Sequence, residues 1–188
     1  MRPYTSIDIE TTGLNSETCK ILEIGAVIDN WVTPVEKLPS FHCYVLNREP
    51  LVGEAYAFSM HPTILRRIAT REKGFTYLYP YHVAIEFKLW LERHEIDLTE
   101  KYLDIAGKNF GSFDNQFLKK LPDWKNFIKS RNRIIDPGNL YWNPKIDNGL
   151  PSMETCMERA GIPGKVTHSA LEDALIVVKL IRHLYQRS

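Results

Sequence analysis

The sequence predicts an α/β fold built on a mixed, five-stranded sheet flanked by helices. Three observations carry that prediction. Three strand-like segments open the chain, helix and strand patterns then alternate, and the final stretch is helical. With 188 residues the chain is long enough for one domain with a sizeable core. No linker-like composition or repeat divides it, so it reads as a single domain over residues 1–188.

The elements follow in order. Residues 4–10 form a β-branched strand that ends at the turn around Gly13, and "KILEIGAVID" (20–29) and "SFHCYVL" (40–46) form the next two. The Pro-containing loop "NWVTPVEKLP" between them suits a long hairpin, so the first three strands are expected as an antiparallel meander. A short helix from Pro62 to Lys73 carries Arg66, Arg67, Arg71 and Lys73 on a basic face. "YHVAIEFKLWLERHE" (81–95) places Val83, Phe87, Trp90 and Leu91 at helical spacing. A buried strand over 101–107 precedes a helix from Phe113 to Leu121, and "NRIIDP" (132–137) is the last strand. Residues 136–151 are rich in turn formers and read as an ordered loop. Helices over Ser152–Ala160 and Ala170–Tyr185 finish the chain, the second with an apolar stripe of Leu171, Ala174, Leu175, Val178 and Ile181 that faces the core.

Composition narrows the function classes. The net charge of +1 excludes a protein that holds long duplexes mainly through a basic surface, yet it permits a site for a strand end. Cys19, Cys43 and Cys156 are widely spaced and odd in number, as expected of reduced structural cysteines. No apolar signal region opens the sequence and no apolar run reaches about 18 residues. The expectation is a cytoplasmic protein without a membrane segment.

Chemistry concentrates at three places. In "SIDIETTGL", Asp8 and Glu10 share one face of the first strand, with Ile7 and Ile9 on the other. Like charges at that spacing repel, so either the face is solvated or a cation offsets the repulsion. In "GKNFGSFDNQFL", Asp114 falls in the first turn of a helix after a buried strand, where ligands of open α/β sheets gather and where the helix dipole also favours an acid. In "THSALEDAL", Ser169 and Glu172 make a capping box, which sets His168 and Asp173 at the paired positions flanking the first turn. A surface His–Asp contact and a functional pair both satisfy that geometry. Four carboxylates converging in one cleft would need cations, and an all-oxygen donor set suits Mg²⁺ or Mn²⁺ rather than structural zinc. Two such ions about 3.5–4 Å apart form the clamp used in phosphodiester hydrolysis, beside which a histidine can take a proton from water.

With their order and spacing, these three motifs resemble those of the DnaQ-like 3′–5′ exonucleases of the DEDDh subgroup, in the ribonuclease H-like superfamily. The four acids of that family fall on Asp8, Glu10, Asp114 and Asp173, and its histidine on His168, five residues before the last acid. The sister subgroup has a tyrosine four residues before that acid, where this chain has Ser169. The resemblance implies a ribonuclease H-like sheet with the first strand in the middle and the second antiparallel to it. It implies two divalent cations, Mg²⁺ or Mn²⁺, bridged by Asp8. Glu10 and Asp173 would complete the site that activates water, Asp114 would hold the second ion, and His168 would be the general base. The segment after Glu10 would bind the terminal nucleotide through Thr11, Thr12, Gly13 and the apolar wedge Leu14, with Asn109 from the second motif.

The expected activity is release of nucleoside 5′-monophosphates from the 3′ ends of single-stranded DNA or RNA, or from short oligonucleotides. A polymerase partner or self-association stays open. Relatives often have His-Asn where this chain has Lys108-Asn109, so Lys108 either adds a phosphate contact or is solvated. Asp136 is expected to support the site without binding metal. In "EAYAFSMHP", Phe58, Met60 and His61 correspond to a segment that covers the terminal base in relatives, although core packing is the favoured role for Phe58 and Met60. A catalytically inactive strand-end binder or scaffold would be expected to have lost an acid or the histidine, and all five are present. A ribonuclease H-like endonuclease is disfavoured by Glu10 two residues after Asp8 and by the position of His168.

Overall fold

The computed structural model describes residues 1–96, 98 and 102–186. Its sheet has six strands in the order β4-β3-β2-β1-β5-β6: β1 (Tyr4–Thr11), β2 (Ile21–Asp29), β3 (Ser40–Val45), β4 (Tyr77–Leu78), β5 (Leu103–Ala106) and β6 (Ser130–Ile135). The first three form the antiparallel meander expected from the sequence, and β5 and β6 continue parallel to β1. The fold is thus the mixed ribonuclease H-like sheet, with one strand more than the five expected. That strand, β4, pairs through only two residues, Tyr44 with Tyr77 and Val45 with Leu78, too few to show a period-2 pattern.

The helices are α1 (Ala55–Met60), α2 (Pro62–Thr70), α3 (Pro80–Arg93), α4 (Asp114–Leu118), α5 (Trp124–Phe127), α6 (Pro137–Leu140), α7 (Met153–Ala160) and α8 (Ala170–Gln186). α2 stops three residues short of the expected Lys73 because Arg71 takes a left-handed conformation at its end. α1, α5 and α6 are additions of four to six residues to the expected elements, α6 lying inside the segment that reads as an ordered loop. The expected strand over 101–107 begins at Leu103, and Lys101 lies outside the described residues.

Strand alternation divides the core. Ile7 and Ile9 of β1 pack on one side of the sheet with Phe87, Trp90 and Leu118, whereas Tyr4 of β1 and Val27 of β2 face α7 and α8 on the other. On that second side, even-numbered β1 residues and odd-numbered β2 residues all look at α8. Ser6 donates to the Ala174 carbonyl at 2.8 Å. Gly25, opposite Asp8 in register, lets the first turn of α8 lie directly on β2, since a Cβ there would come within 2.2 Å of the Leu171 amide nitrogen.

Two buried carboxylates on β2 anchor this helix at opposite ends. Near its start, Glu23 Oε2 accepts from the Ala170 amide at 3.2 Å, and Glu23 Oε1 lies 2.5 Å from His42 Nε2. Near its end, the fully buried Asp29 receives the Arg182 guanidinium, the Tyr4 hydroxyl (2.9 Å) and the Trp31 amide (2.7 Å). Replacing Arg182 with Met leaves Asp29 buried without its cation. Urea denaturation should show a loss of about 3–5 kcal/mol, partly recovered when Asp29→Asn is added.

Candidate metal and nucleotide site

The strand order sets the site at the carboxyl end of β1. Asp8 and Glu10 point toward α8, and Asp8 keeps partial exposure while Glu10 is buried. Asp114 reaches the same place from α4: its Oδ1 accepts the Ile9 amide at 3.1 Å, so it docks on the backbone between the other two acids. Asp173 arrives from the first turn of α8, with the Thr167 amide 3.4 Å from its Oδ1. Ligand atoms of Glu10, His168 and Asp173 lie within 4.8 Å of one another, a spacing that one metal ion could span. The proximity of His168 and Asp173 expected from the capping box is therefore present, and α8 starts directly after Ser169 as the box requires. His168 itself holds a positive φ of 53° and is exposed at the mouth.

The electrostatics are those of an over-acidic cluster. Burial, then the charges of Asp114, Glu10, Asp173 and Glu23, push Asp8 well above the usual carboxylate range. Burial raises Glu10 to about 8, helped by Asp173, Glu23 and Asp114. Asp114 is raised to about 7 by burial, against the lowering effect of the Ile9 amide, and Asp173 to about 6. Glu10 also stands directly opposite Glu23 across the β1–β2 ladder, a pairing that costs energy without a counter-charge. This donor set, hard oxygens with mutual repulsion, has the chemistry to hold divalent cations.

Two cavities open at the cluster. One, of about 500 Å³, is walled by Asp8, Glu10, Asp114, Asp173, His168, Leu14, Lys108 and Asn109, among others. The second, of about 220 Å³, is more apolar and runs beside it between Thr11, Gly13, Leu14, Tyr56, Met60 and His61. Leu14 belongs to both and is 74% exposed, an apolar side chain with no partner to cover it.

The structure separates the residues of the turn after β1. Thr12 is fully buried, donates to the Val52 carbonyl (2.6 Å) and accepts from the Lys20 amide (2.9 Å), and it walls neither cavity. Thr11 lines the apolar cavity, but its hydroxyl donates to the Gly13 carbonyl at 2.8 Å. Gly13 passes so close to Cys19 and Glu54 that a Cβ would come within 2.8 and 2.9 Å of them, and Glu54 accepts the Leu14 amide. Of the covering segment, Met60 and His61 wall the cavity whereas Phe58 does not.

Asn109 sits on a left-handed turn (φ 58°) whose amide donates to Asp136 Oδ2 at 2.8 Å, while Asp136 Oδ1 caps α6 through the Gly138 amide. Asp136 thus holds the turn that carries Asp114. Lys108 is drawn in rather than solvated, with Nζ 2.8 Å from Asn109 Oδ1 and 3.9 Å from Asp136 Oδ1. The basic helix is largely spoken for as well. Arg66 pairs with Glu72 at 2.7 Å, and Arg67 donates to the Tyr44 hydroxyl and covers the Phe75 ring.

Two residues at the site escaped the sequence reading. His61, named only as a cover for the base, places Nε2 3.3 Å from Glu10 Oε2 and stacks edge-on 6.5 Å from His168. Glu23 lies within a strand that is otherwise largely apolar, and its signal is a lone carboxylate two residues before a glycine.

Residues 5–181 match the RNase T exonuclease family model, and the chain belongs to that family. No curated protein matches the chain at a significant level. Among solved structures it is similar to E. coli exonuclease I in complex with a dT13 oligonucleotide, at 16% identity and TM-score 0.69 over all of this chain and 42% of that one. The zinc-bound form of the E. coli exonuclease I–single-stranded DNA complex gives 15% identity and TM-score 0.70, over 100% and 41%. The nuclease domain of 3′hExo, a DEDDh family member bound to rAMP, gives 16% identity and TM-score 0.65, over 99% and 92%. The chain therefore spans well under half the length of exonuclease I and nearly all of the 3′hExo nuclease domain.

The raised acids yield a sign-definite prediction for the protein in EDTA. Glu10 is near 4.3 when unfolded and about 8 when folded, so its charging opposes folding increasingly as pH rises from about 4 to 8, and fully above that. Glu10→Gln should therefore melt several degrees above the unsubstituted chain at pH 9, with the gap closing toward pH 4. Equal melting temperatures across that window would contradict a buried, repelled Glu10.

Proposed function

We propose that this chain is a DEDDh-type 3′–5′ exonuclease domain that depends on two divalent cations and hydrolyses single-stranded nucleic-acid ends to nucleoside 5′-monophosphates. The observation that carries the reading is the convergence of four carboxylates from β1, α4 and α8 on one cavity, with His168 beside Glu10 and Asp173. Such crowding costs stability in the free protein and is best explained by cations that the acids are built to hold. The similarity to a nuclease domain bound to rAMP and to an exonuclease bound to single-stranded DNA supports the substrate class.

When bound, the cations supply charge neutralisation for the attacking and leaving oxygens. The rest falls to the chain. The apolar cavity between Leu14, Tyr56, Met60 and His61 receives the terminal base, with Leu14 packing against it. The base is thereby held while the scissile phosphate lies over Asp8, and water is excluded from the base side. His168 accepts the proton of the attacking water on an imidazole nitrogen at the mouth of the site and releases it to solvent, which its exposure allows. Its backbone, held at a positive φ before α8, aims the ring back toward Asp173 rather than along the helix.

The test is incubation with 3′-labelled and 5′-labelled single strands of DNA and RNA in Mg²⁺ or Mn²⁺. Stepwise shortening from the 3′ end should occur and should be abolished by EDTA and by Asp8→Ala. Internal cuts, or no cleavage of any strand in either metal, would overturn the reading. His168→Gln should lower kcat by about 10²–10⁴ with KM little changed.

A further inference from the structure

The net charge of +1 averages over a strongly uneven surface. Beside β6 lies a second cleft, of about 490 Å³, whose walls include Lys119, Lys125, Lys129 and Arg131 and no carboxylate. Arg131 pairs with Asp104 at 2.9 Å. Among the described residues, Lys119, Lys125 and Lys129 make no ion pair, and all three are exposed. Four cations around one concavity repel one another, and among the described residues only Arg131 has an ion-pair partner to offset that cost.

The local backbone accentuates the feature. Pairing of β5 with β6 jumps from Leu103↔Ser130 to Ile105↔Ile134, so β6 carries two extra residues and Arg131–Arg133 bulge outward. The cleft neighbours the acidic site along the chain: its wall residue Gly111 precedes Ser112, which walls the carboxylate cavity, and its wall residue Asn115 follows Asp114. From there it runs along β6, whose Ser130 and Ile135 lie opposite Leu103 and Ala106, roughly 10 Å of ladder at ~3.3 Å per residue, to the exposed ring of Tyr102. A row of free cations leading from a hydrolytic site to an exposed aromatic ring is the arrangement that tracks a single-stranded backbone and stacks a base.

We propose that this cleft is the binding site for the phosphate backbone of the strand upstream of the scissile bond, with Lys119, Lys125 and Lys129 on phosphates and Tyr102 under a base. The proposal rests on the exonuclease reading for its direction. It requires of the ligand only a polyanionic single strand, because cations on a flexible stem read charge and not sequence.

The test compares the unsubstituted protein with a triple variant, Lys119→Gln, Lys125→Gln and Lys129→Gln, using a ~20-nucleotide single strand and a dinucleotide over roughly 50–200 mM salt. All three positions are exposed, and matched melting temperatures check that the fold is intact. The expected result is at least a tenfold fall in the ratio of kcat/KM for the strand to that for the dinucleotide. The slope of log(kcat/KM) against log[salt] for the strand should also become shallower by about 2, three contacts at ~0.7 each. An unchanged ratio and slope would overturn the proposal, leaving the bulged cations only the role of keeping an edge strand from pairing with another chain.

Binding of the same labelled strand, followed by fluorescence anisotropy, separates this proposal from the proposed activity. If the unsubstituted protein hydrolyses nothing but binds the strand, and the variant binds at least tenfold more weakly, the cleft stands while the exonuclease reading falls. Failure of the unsubstituted protein to bind overturns the cleft.

Discussion

Mutual repulsion among buried carboxylates is the constraint around which this fold is organised. Asp8, Glu10, Asp114 and Asp173 sit together with their proton affinities raised, and Glu23 adds a fifth carboxylate directly across the ladder from Glu10. A fold cannot hold such a cluster loosely, because each acid would relax into solvent. Here each acid is carried by an element that is separately fastened. β1 is central in the sheet, α4 is tied to it by the Asp114–Ile9 bond, and the turn before α4 is pinned by Asp136.

The last helix shows how the fastening works at a distance. Its first turn must bring Asp173 and His168 to the end of β1, and Gly25 lets it lie flush against β2. Glu23 accepts its first amide, satisfying a donor that a helix start leaves free, while Asp29 grips Arg182 three turns later. Both carboxylates belong to one strand and one face, so β2 acts as a rigid rail along which α8 is set in position. Ser6 of β1 joins the same rail. The geometry of the acidic site is thus decided largely by residues that never touch it.

The distribution of charge gives the molecule two unlike concavities side by side. One is acidic and suits cations; the other is lined by Lys119, Lys125, Lys129 and Arg131 and suits polyanions. Between them runs the turn from Lys108 to Phe113. Lys108 contributes to neither cleft as a free charge, because Asp136 and Asn109 hold it. The basic helix α2 is similarly quenched by Glu72 and by aromatic contacts. Counting cations along the chain does not separate paired from unpaired ones, since pairing depends on the neighbours that the fold supplies.

The sequence by itself determined the sheet's first three strands, the class of fold, and the five residues, four acids and a histidine, that the structure brings to one cavity. Each of these is written in local pattern: period-2 alternation in β1, a capping box before α8, and an acid in the first turn of α4. The family to which the chain belongs is legible from the same three segments. Only the tertiary structure decided what surrounds them. β4 has two residues and α1, α5 and α6 have four to six, so packing rather than periodicity stabilises them. Thr12 lies in a turn that suits an exposed hydroxyl, yet it is buried because its partners are Lys20, at the far end of the same connection, and Val52 from another loop. The roles of Glu23, Asp29 and His61 are equally invisible in one dimension. A buried polar group is defined by the donors and acceptors around it, and most of those come from residues far along the chain, 19 positions for Glu23 with His42 and 153 for Asp29 with Arg182.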